Sequence, residues 1–346
     1  MDKCDVKSMS DALLSAFVTE AGFPAFRAKQ IRSFLDRGVT DFDKMQNLPA
    51  DLRAFLKEHA LVPSVTVEKR FVSAIDGTVK YLFRLSDGEV VESVLMHYKH
   101  GWSQCLSTQV GCRMGCSFCA TGMEGLVRNL LPSEMIAQIE AAEAAEAEQN
   151  VRVSHIVLMG MGEPLDNYDN VLRFLEMLRE EGGVHIGMRH VSLSTCGLVD
   201  KIRRLQEEDL QLTLSVSLHA PNDALRRQMM PVAKRWSVDE LLSACREYAE
   251  ATSRRISFEY AMIDGVNDSD ECARELAGKL KGMLCHVNLI PANEVRGKDH
   301  KRSKAERLKA FSDILAARGI PVTVRRTLGA DISASCGQLK RNEEAT

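Results

Sequence analysis

The sequence predicts an α/β protein built on a partial (βα)6 TIM-like barrel, with a small N-terminal helical plus antiparallel β accessory region. Three observations predict it. After residue 100, strand-length apolar runs alternate six times with helix-period segments, the mark of a parallel sheet with its crossover helices packed outside. Six units fall short of the eight that close a standard barrel, so one side stays open and leaves a cavity for a large substrate. Before residue 100 the period is first that of short helices and then that of hairpin strands.

Residues 1–62 read as the helical accessory domain. Ser10–Val18 and Ala28–Leu35 have helical period, Gly22 and Pro24 punctuate between them, and a third helix starts at Asp51 after Pro49. Arg27, Lys29, Arg32 and Arg37 give this unit a basic side, either a nucleic-acid face or the solvated face of a helix pair. Residues 63–100 read as a small antiparallel extension, because alternating runs are joined by Asp76-Gly77 and Asp87-Gly88 turns. Its last strand carries Glu92, which as an isolated strand carboxylate is expected to face solvent.

Residues 101–338 hold the barrel and a C-terminal loop, and 339–346 are a tail. The expected strands are 104–109, 155–159, 190–194, 211–217, 256–262 and 286–290. The expected helices are 132–148, 168–180, 199–207, 237–251, 268–281 and 303–318. The Glu/Ala-rich part of the first, 137–148, has strong helix formers and reads as an exposed face.

Composition bounds the function. A chain of 346 residues buries a core large enough to need no disulfide framework, so ten cysteines are not an extracellular signature. The polar start Met1-Asp2-Lys3-Cys4-Asp5 lacks an apolar leader, and no run reaches membrane-span length. The expectation is a cytoplasmic protein with no membrane partner. A net charge of −3 does not mark a nucleic-acid binder, so any RNA contact rests on local clusters: Arg254-Arg255, Arg296–Lys304 and Arg325-Arg326.

The chemistry concentrates in Gly111-Cys112-Arg113-Met114-Gly115-Cys116-Ser117-Phe118-Cys119. Three thiolates in a short glycine-bearing loop can converge on a metal or an iron–sulfur cluster. A cubane normally takes four cysteines, and the missing fourth leaves one iron open to a small molecule. Zinc closes with paired C-x2–4-C units, and no second pair exists here. C-x3-C-x2-C is instead the pattern of radical S-adenosylmethionine (SAM) enzymes, in which the open iron chelates SAM.

Other polar groups fall at predicted strand ends. Gly160-Met161-Gly162-Glu163-Pro164 follows the second strand, where glycines admit close backbone approach and a carboxylate can hold an ammonium group. Ser194 ends the third strand, Ser217-Leu218-His219 the fourth, and Asn293 follows the sixth. Taken singly, the serines read as helix caps and His219 as a hydrogen-bonded turn residue. Cys336 lies in a Gly/Ser/Ala-rich segment, either incidental or a reactive thiol, and Cys105 is its possible partner. Cys4, Cys196, Cys245, Cys272 and Cys285 read as structural thiols.

Over nearly its whole length the chain resembles the RlmN/Cfr family of radical SAM RNA methyltransferases. The likeness rests on Cys105–Cys112, the cysteine loop, Gly160–Pro164, Ser217–Asn222 and Asp331–Leu339. It implies a [4Fe–4S] cluster on Cys112, Cys116 and Cys119, and SAM contacts at Gly162, Glu163, Ser194, Ser217, Leu218, His219 and Asn293. It also implies a ping-pong route using two SAM per turnover. Cys336 takes a methyl group from the first SAM, and a 5′-deoxyadenosyl radical from the second removes a hydrogen from that methyl. The methylene radical adds to an adenine ring carbon, Glu92 deprotonates the adduct, and Cys105 releases the product by a disulfide with Cys336. The aromatic carbons concerned are electrophilic, so ordinary methyl transfer cannot reach them, whereas a carbon radical can. Pro164 matches the carbon-2 branch, acting on 23S rRNA and tRNA; the alternative is the carbon-8 branch, tied to ribosomal antibiotic resistance. A low-potential donor such as flavodoxin or ferredoxin and a monomeric state are further implications. One departure is Pro291-Ala292-Asn293-Glu294-Val295-Arg296, which replaces a W-N-P seen in some members and leaves Asn293 aligned. A non-catalytic zinc-bearing RNA-binding protein is the remote alternative, colourless where the radical reading predicts brown protein.

Overall fold

The computed structural model describes residues 3–123, 125–180, 183–293, 300–335 and 337–339. The chain begins with β1 (Cys4–Asp5), α1 (Asp11–Glu20), α2 (Phe26–Leu35), α3 (Ala50–His59) and β2 (Ala60–Leu61), and β1 pairs with β2 in parallel. Leu14, Val18, Ile31, Met45, Leu52 and Leu56 form a core of their own, apart from the main one. Ser10 caps α1 by accepting from the Leu13 N–H. The unit docks on the barrel through its first strand: Asp5 accepts from the Ser133 hydroxyl at 2.6 Å, and Arg173 donates to the Ser8 carbonyl at 2.6 Å. Much of its basic side is engaged locally. Arg32 pairs with Asp11, Arg27 donates to Gln30, and Arg37 donates to the Ser33 carbonyl.

The main sheet is assembled from β3 (Val65–Val72), β4 (Val79–Leu85), β5 (Val90–Tyr98) and β6 (Gly101–Cys105). A side ribbon follows, β7 (Gln109–Gly111) with β8 (Leu126–Asn129), and then α4 (Pro132–Ala145). The remaining units are β9 (Val153–Leu158), α5 (Tyr168–Met177), β10 (Val191–Thr195), α6 (Val199–Gln206), β11 (Thr213–Ser217), α7 (Asp223–Met229), α8 (Val238–Thr252), β12 (Ile256–Met262), α9 (Asp270–Leu280), β13 (Cys285–Pro291), α10 (Ala305–Ala316) and β14 (Val322–Val324). The ten strands run in the order β14-β13-β12-β11-β10-β9-β6-β5-β4-β3. Pairing from β6 across to β14 is parallel, and β3 through β6 are antiparallel.

This is the expected α/β class with four differences. The antiparallel strands are not a separate sheet: Val94 on β5 registers with Cys105 on β6, and the turn at residues 99–100 lies inside that hairpin. A hairpin turn looks the same in sequence whether its second strand ends a small sheet or starts a large one. A seventh parallel strand, β14, is too short to show a period. Helix α7 follows the Ser217–Asn222 segment, capped by Asn222 accepting from the Leu225 N–H. The 137–148 stretch is exposed on one side only: Glu140, Ala144, Ala145, Ala147 and Glu148 face solvent, whereas Ala137, Gln138, Ile139, Ala142 and Glu146 are buried. Packing between β3–β4 and α5 covers the buried side, and Arg70 and Tyr81 both reach the Glu146 carboxylate. Strand alternation sets the barrel's two faces: Ile256, Phe258, Tyr260 and Met262 of β12 are fully buried in the apolar core, whereas Glu259 and Ala261 line the central cavity. Among the described residues no helix is long and apolar enough to cross a membrane.

Candidate active site at the carboxyl ends of the strands

The cysteine loop closes the β7–β8 ribbon and is pinned on three sides. Cys112 N–H donates to the Gly125 carbonyl at 2.8 Å, Ser117 N–H to Met229 at the end of α7 at 2.8 Å, and Ala120 N–H to Gly337 at 2.8 Å. Gly111 sits at φ 75°, and a Cβ there would lie 1.9 Å from the Gly125 oxygen, so no other residue fits. Cys112, Cys116 and Cys119 line one cavity together with Gly160, Gly162, Glu163, Pro164, Ser194, Ser217, His219 and Asn293. Its volume is about 1050 Å³ including the open mouth, at the upper end of what ligand cavities span.

The donor chemistry suits a cluster. Burial pushes the Cys112 thiol up to about 12, and burial followed by the neighbouring Cys119 and Cys112 raises Cys116, with Arg226 pulling the other way. Thiols held protonated in this way ionise when a bound metal cation offsets their charge, which is the coupling of metal loading to deprotonation. No trio of His, Cys, Asp or Glu among the described residues is placed to hold a single metal ion. A cubane takes each thiolate on a different iron, so its three ligands need not meet at a point, as a zinc site requires.

Glu163 is buried, and its carboxylate accepts from Cys196 N–H at 2.7 Å and Leu165 N–H at 3.1 Å. Burial raises its pKa, and no cation of the described residues lies within ion-pair distance. An ammonium group in the cavity would supply the missing charge. The glycines before it have a second job that sequence did not show. A Cβ on Gly162, at φ 104°, would come within 2.8 Å of the Gln109 backbone, so the glycine lets the β9 end cross the cysteine-loop stem. Ser194 and Ser217 cap no helix; the N-cap residues of α6 and α7 are Leu198 and Asn222. His219 keeps its turn role as well, at φ 57°, with Nδ1 accepting from Ala261 N–H at 2.9 Å. Its pKa falls to about 3 through burial and the nearby Arg226, so the ring is neutral, with its proton on Nε2. Leu218 is fully buried and does not line the cavity with its neighbours; its N–H donates to the Glu259 carbonyl at 3.1 Å.

The remaining predicted residues lie beside this cavity. Buried Cys105 lines a smaller one with Val94, Met96, Asn293, Arg325 and Ser335. Asn293 and Arg325 line both. Glu92 does not face solvent: it is fully buried on β5, and its carboxylate lies 3.4 Å from the equally buried Lys80 ammonium. Strand alternation puts Glu92 with Lys80 and Val94 on the face opposite the one that Tyr81 and Ser93 turn to α4; there Val94 lines the Cys105 cavity with Leu328, Ala334 and Ser335, so the interior and not solvent lies beyond it. Cys336 lies outside the described residues, as does the Arg296–Asp299 part of the basic stretch. Of its neighbours, Ser335 lines the Cys105 cavity and Gly337 the three-cysteine cavity.

Sequence reasoning missed several groups. Cys196 is not merely structural, because it lines the cavity and its N–H holds Glu163. Glu259 is buried at the cavity wall, accepts from Ser257 and Asn288, and lies 3.9 Å from Arg325. Burial raises its pKa. Its signal was an acid on the polar phase of an otherwise apolar strand. Phe118, the aromatic within the cysteine loop, packs edge-on to His219 with ring centroids 4.6 Å apart.

Two family models match the chain: the radical SAM superfamily over residues 106–277, and the ribosomal RNA large subunit methyltransferase N-terminal domain over residues 4–62. A probable dual-specificity RNA methyltransferase RlmN of Alkaliphilus oremlandii is 50% identical over 341 residues, covering 99% of this chain and 98% of that protein. One of the same name from Desulforamulus reducens is 49% identical over 345 residues, covering 99% and 98%. Among solved structures, a radical SAM methyltransferase from Sphaerobacter thermophilus superposes with a TM-score of 0.89 at 47% identity, covering 98% of this chain and 100% of that one.

Proposed function

The chain belongs to the RlmN family of radical SAM RNA methyltransferases, and from that premise we propose that it methylates carbon 2 of an adenosine in 23S rRNA and in tRNA by a ping-pong route through Cys336, using two SAM per turnover. The observation that carries the reading is the pair of adjoining cavities: Ser335 lines the one holding Cys105, Gly337 the one holding Cys112, Cys116 and Cys119, and Asn293 and Arg325 line both. The segment bearing Cys336 thus has its described neighbours in both compartments that the route requires.

When bound on Cys112, Cys116 and Cys119, a [4Fe–4S] cluster supplies the single electron that cleaves SAM reductively. The protein's own residues do the rest. Glu163 takes the amino group of SAM, its raised pKa falling when the ammonium arrives. Ser194, Ser217 and Asn293 offer hydrogen bonds from the strand ends, and neutral His219 packs beside Phe118 without adding a positive charge. The Cys336 thiol accepts the first methyl group. After the methylene carbon joins the adenine ring, the radical adduct returns one electron to the centre that supplied it and Glu92 takes the ring proton, while Lys80 beside it keeps charge balanced inside the sheet. The Cys105 thiolate then attacks the Cys336 sulfur, forming a disulfide as the sulfur–carbon bond breaks; the carbon leaves with that bond's electron pair and takes a proton to become the methyl group. Pro164 lines the cavity next to Glu163, in keeping with the carbon-2 branch.

A low-potential one-electron carrier such as flavodoxin or ferredoxin would feed the centre, and the enzyme would act as a monomer on its large substrate. The test is mass analysis of nucleosides from rRNA and tRNA incubated anaerobically with reconstituted enzyme, reductant and methyl-labelled SAM. 2-Methyladenosine in both RNAs is expected. 8-Methyladenosine would overturn the branch, and no labelled adenosine from an enzyme that cleaves SAM would overturn the substrate.

A further inference from the structure

Arg226, on α7, is the largest side chain with no exposed surface among the described residues. No carboxylate of the described residues pairs with it. Its guanidinium instead donates to three backbone carbonyls: Nε to Leu218 at 3.2 Å, and Nη2 to Cys196 at 2.6 Å and Ser217 at 3.2 Å. Nη1 is buried with no hydrogen-bond partner among the described residues. A desolvated cation held only by carbonyl dipoles is costly, and an unpaired buried charge is a state that folds retain only for a counter-charge or a function.

The place of this charge is specific. The carbonyls it holds end β10 and β11, the two strands whose next residues line the cofactor cavity. The helix that carries it backs the cysteine loop, because Ser117 N–H, between the second and third cysteines, donates to the carbonyl of Met229 at the end of α7. The next residue, Met230, lines the cavity beside the cysteines. So the cation stands behind the wall in which the family's cluster is held.

We infer that Arg226 is the fixed counter-cation of the three-cysteine centre, a positioning residue whose permanent charge raises the centre's reduction potential. The charge arithmetic gives the sign. An oxidised cubane core of +2 on three thiolates carries −1, and the one electron delivered by a low-potential carrier protein makes it −2. A nearby buried cation stabilises the more negative form, and net charge and hydrogen bonding are what set such potentials. The inference rests on the family's cluster being bound here, and it assigns a role to a residue that touches neither SAM nor RNA.

The test is a redox titration of the reconstituted, SAM-free enzyme, followed by the electron paramagnetic resonance signal of the reduced cluster, with iron and sulfide assayed for loading. Three variants separate charge from shape. Arg226→Gln removes the charge. Arg226→Lys keeps it and loses the fork of carbonyl bonds. Cys245→Asp leaves Arg226 in place and sets a carboxylate beside it; Cys245, fully buried on α8, is close enough for the two side chains' charges to interact. The expected result is a midpoint shifted to more negative potential in Arg226→Gln and Cys245→Asp, with Arg226→Lys close to wild type. If Arg226→Gln does not load, Cys245→Asp decides. A wild-type midpoint in either loaded charge-neutralised variant overturns the inference, and so does a shift in Arg226→Lys as large as that in Arg226→Gln. Absence of any iron–sulfur signal in the wild-type protein would instead overturn the cluster assignment on which it rests.

Discussion

The Lys80 ammonium lies 3.4 Å from the Glu92 carboxylate, with both side chains sealed inside the sheet of β4 and β5. Removing one partner of such a pair leaves a buried charge uncompensated, which costs about 3–5 kcal/mol, whereas replacing both by apolar groups is often neutral. Lys80→Met is therefore expected to lower unfolding stability by about that amount. Lys80→Met with Glu92→Leu should recover most of it. Urea denaturation of the two variants reads this directly, and equal losses in both would remove the pair as a stability determinant.

Glu163 gives a prediction in pH. Burial raises its pKa in the folded chain, so the folded state binds this proton more readily than the unfolded state does. Its contribution to stability is then fully present below the ordinary glutamate range and is lost as pH rises through the raised value. Glu163→Gln cannot ionise, so in the cofactor-free protein the variant should gain on wild type as pH climbs through that window. Thermal melting at a series of pH values checks the slope. The same variant should bind SAM about tenfold to a hundredfold more weakly, because a charge-assisted hydrogen bond is worth roughly 1.5–3 kcal/mol. Calorimetric titration measures that loss.

Sequence showed the chemistry more clearly than the frame around it. The cysteine spacing and the strand-end residues were legible because each is a local pattern: three thiols in eight residues, or a polar residue where an apolar run stops. The burial of Glu92 was not, because it depends on the continuity of its sheet with β6, a long-range pairing, and on the chain at residues 328–335 that shares a cavity with Val94 on the same face of β5. Arg226 was invisible for the same reason. An arginine on a short helix reads as solvated, and only the packing of α7 behind the cysteine loop and against the ends of β10 and β11 shows that it is sealed.

His219 should not titrate near neutrality. Its pKa, lowered to about 3 by burial and by Arg226, sits below the ordinary histidine value that it regains on unfolding. Its stability contribution is therefore present above about pH 6.5 and is lost as pH falls toward about 3, a difference on the order of a few kcal/mol. The His219 ring signals in an NMR pH series should hold still from about pH 8 to about pH 5. A midpoint near the ordinary value would mean that the ring is solvated in the folded protein.

Gly111→Ala tests the loop geometry without touching a thiol. The new methyl group would meet the Gly125 carbonyl at 1.9 Å, at a φ that alanine resists. The loop would have to shift at the edge of the main core, which Val110 joins, while the core around Leu14 lies apart. Iron and sulfide content after reconstitution should fall severely, with the circular dichroism of the chain little changed.

The two cysteines outside the loop have separable roles, and the product of each variant tells them apart. Without the Cys336 thiol there is no acceptor for the first methyl group, so Cys336→Ala should yield no methylated RNA and no protein–RNA adduct. Cys105 acts only after the methylene carbon has joined the base. Cys105→Ala should therefore carry the reaction forward and then stall, leaving RNA bound to the protein through sulfur and carbon. A denaturing gel of Cys105→Ala with labelled RNA should show a retarded band that survives reducing agent, because a thioether, unlike a disulfide, is not reduced. The same lane for the Cys105→Ala, Cys336→Ala double variant should be empty. A band that persists in the double variant would place the attachment on another residue. Free methylated adenosine from Cys105→Ala would mean that a different group resolves the adduct. That outcome would also leave unexplained why Cys105 is buried in the cavity that Ser335 lines.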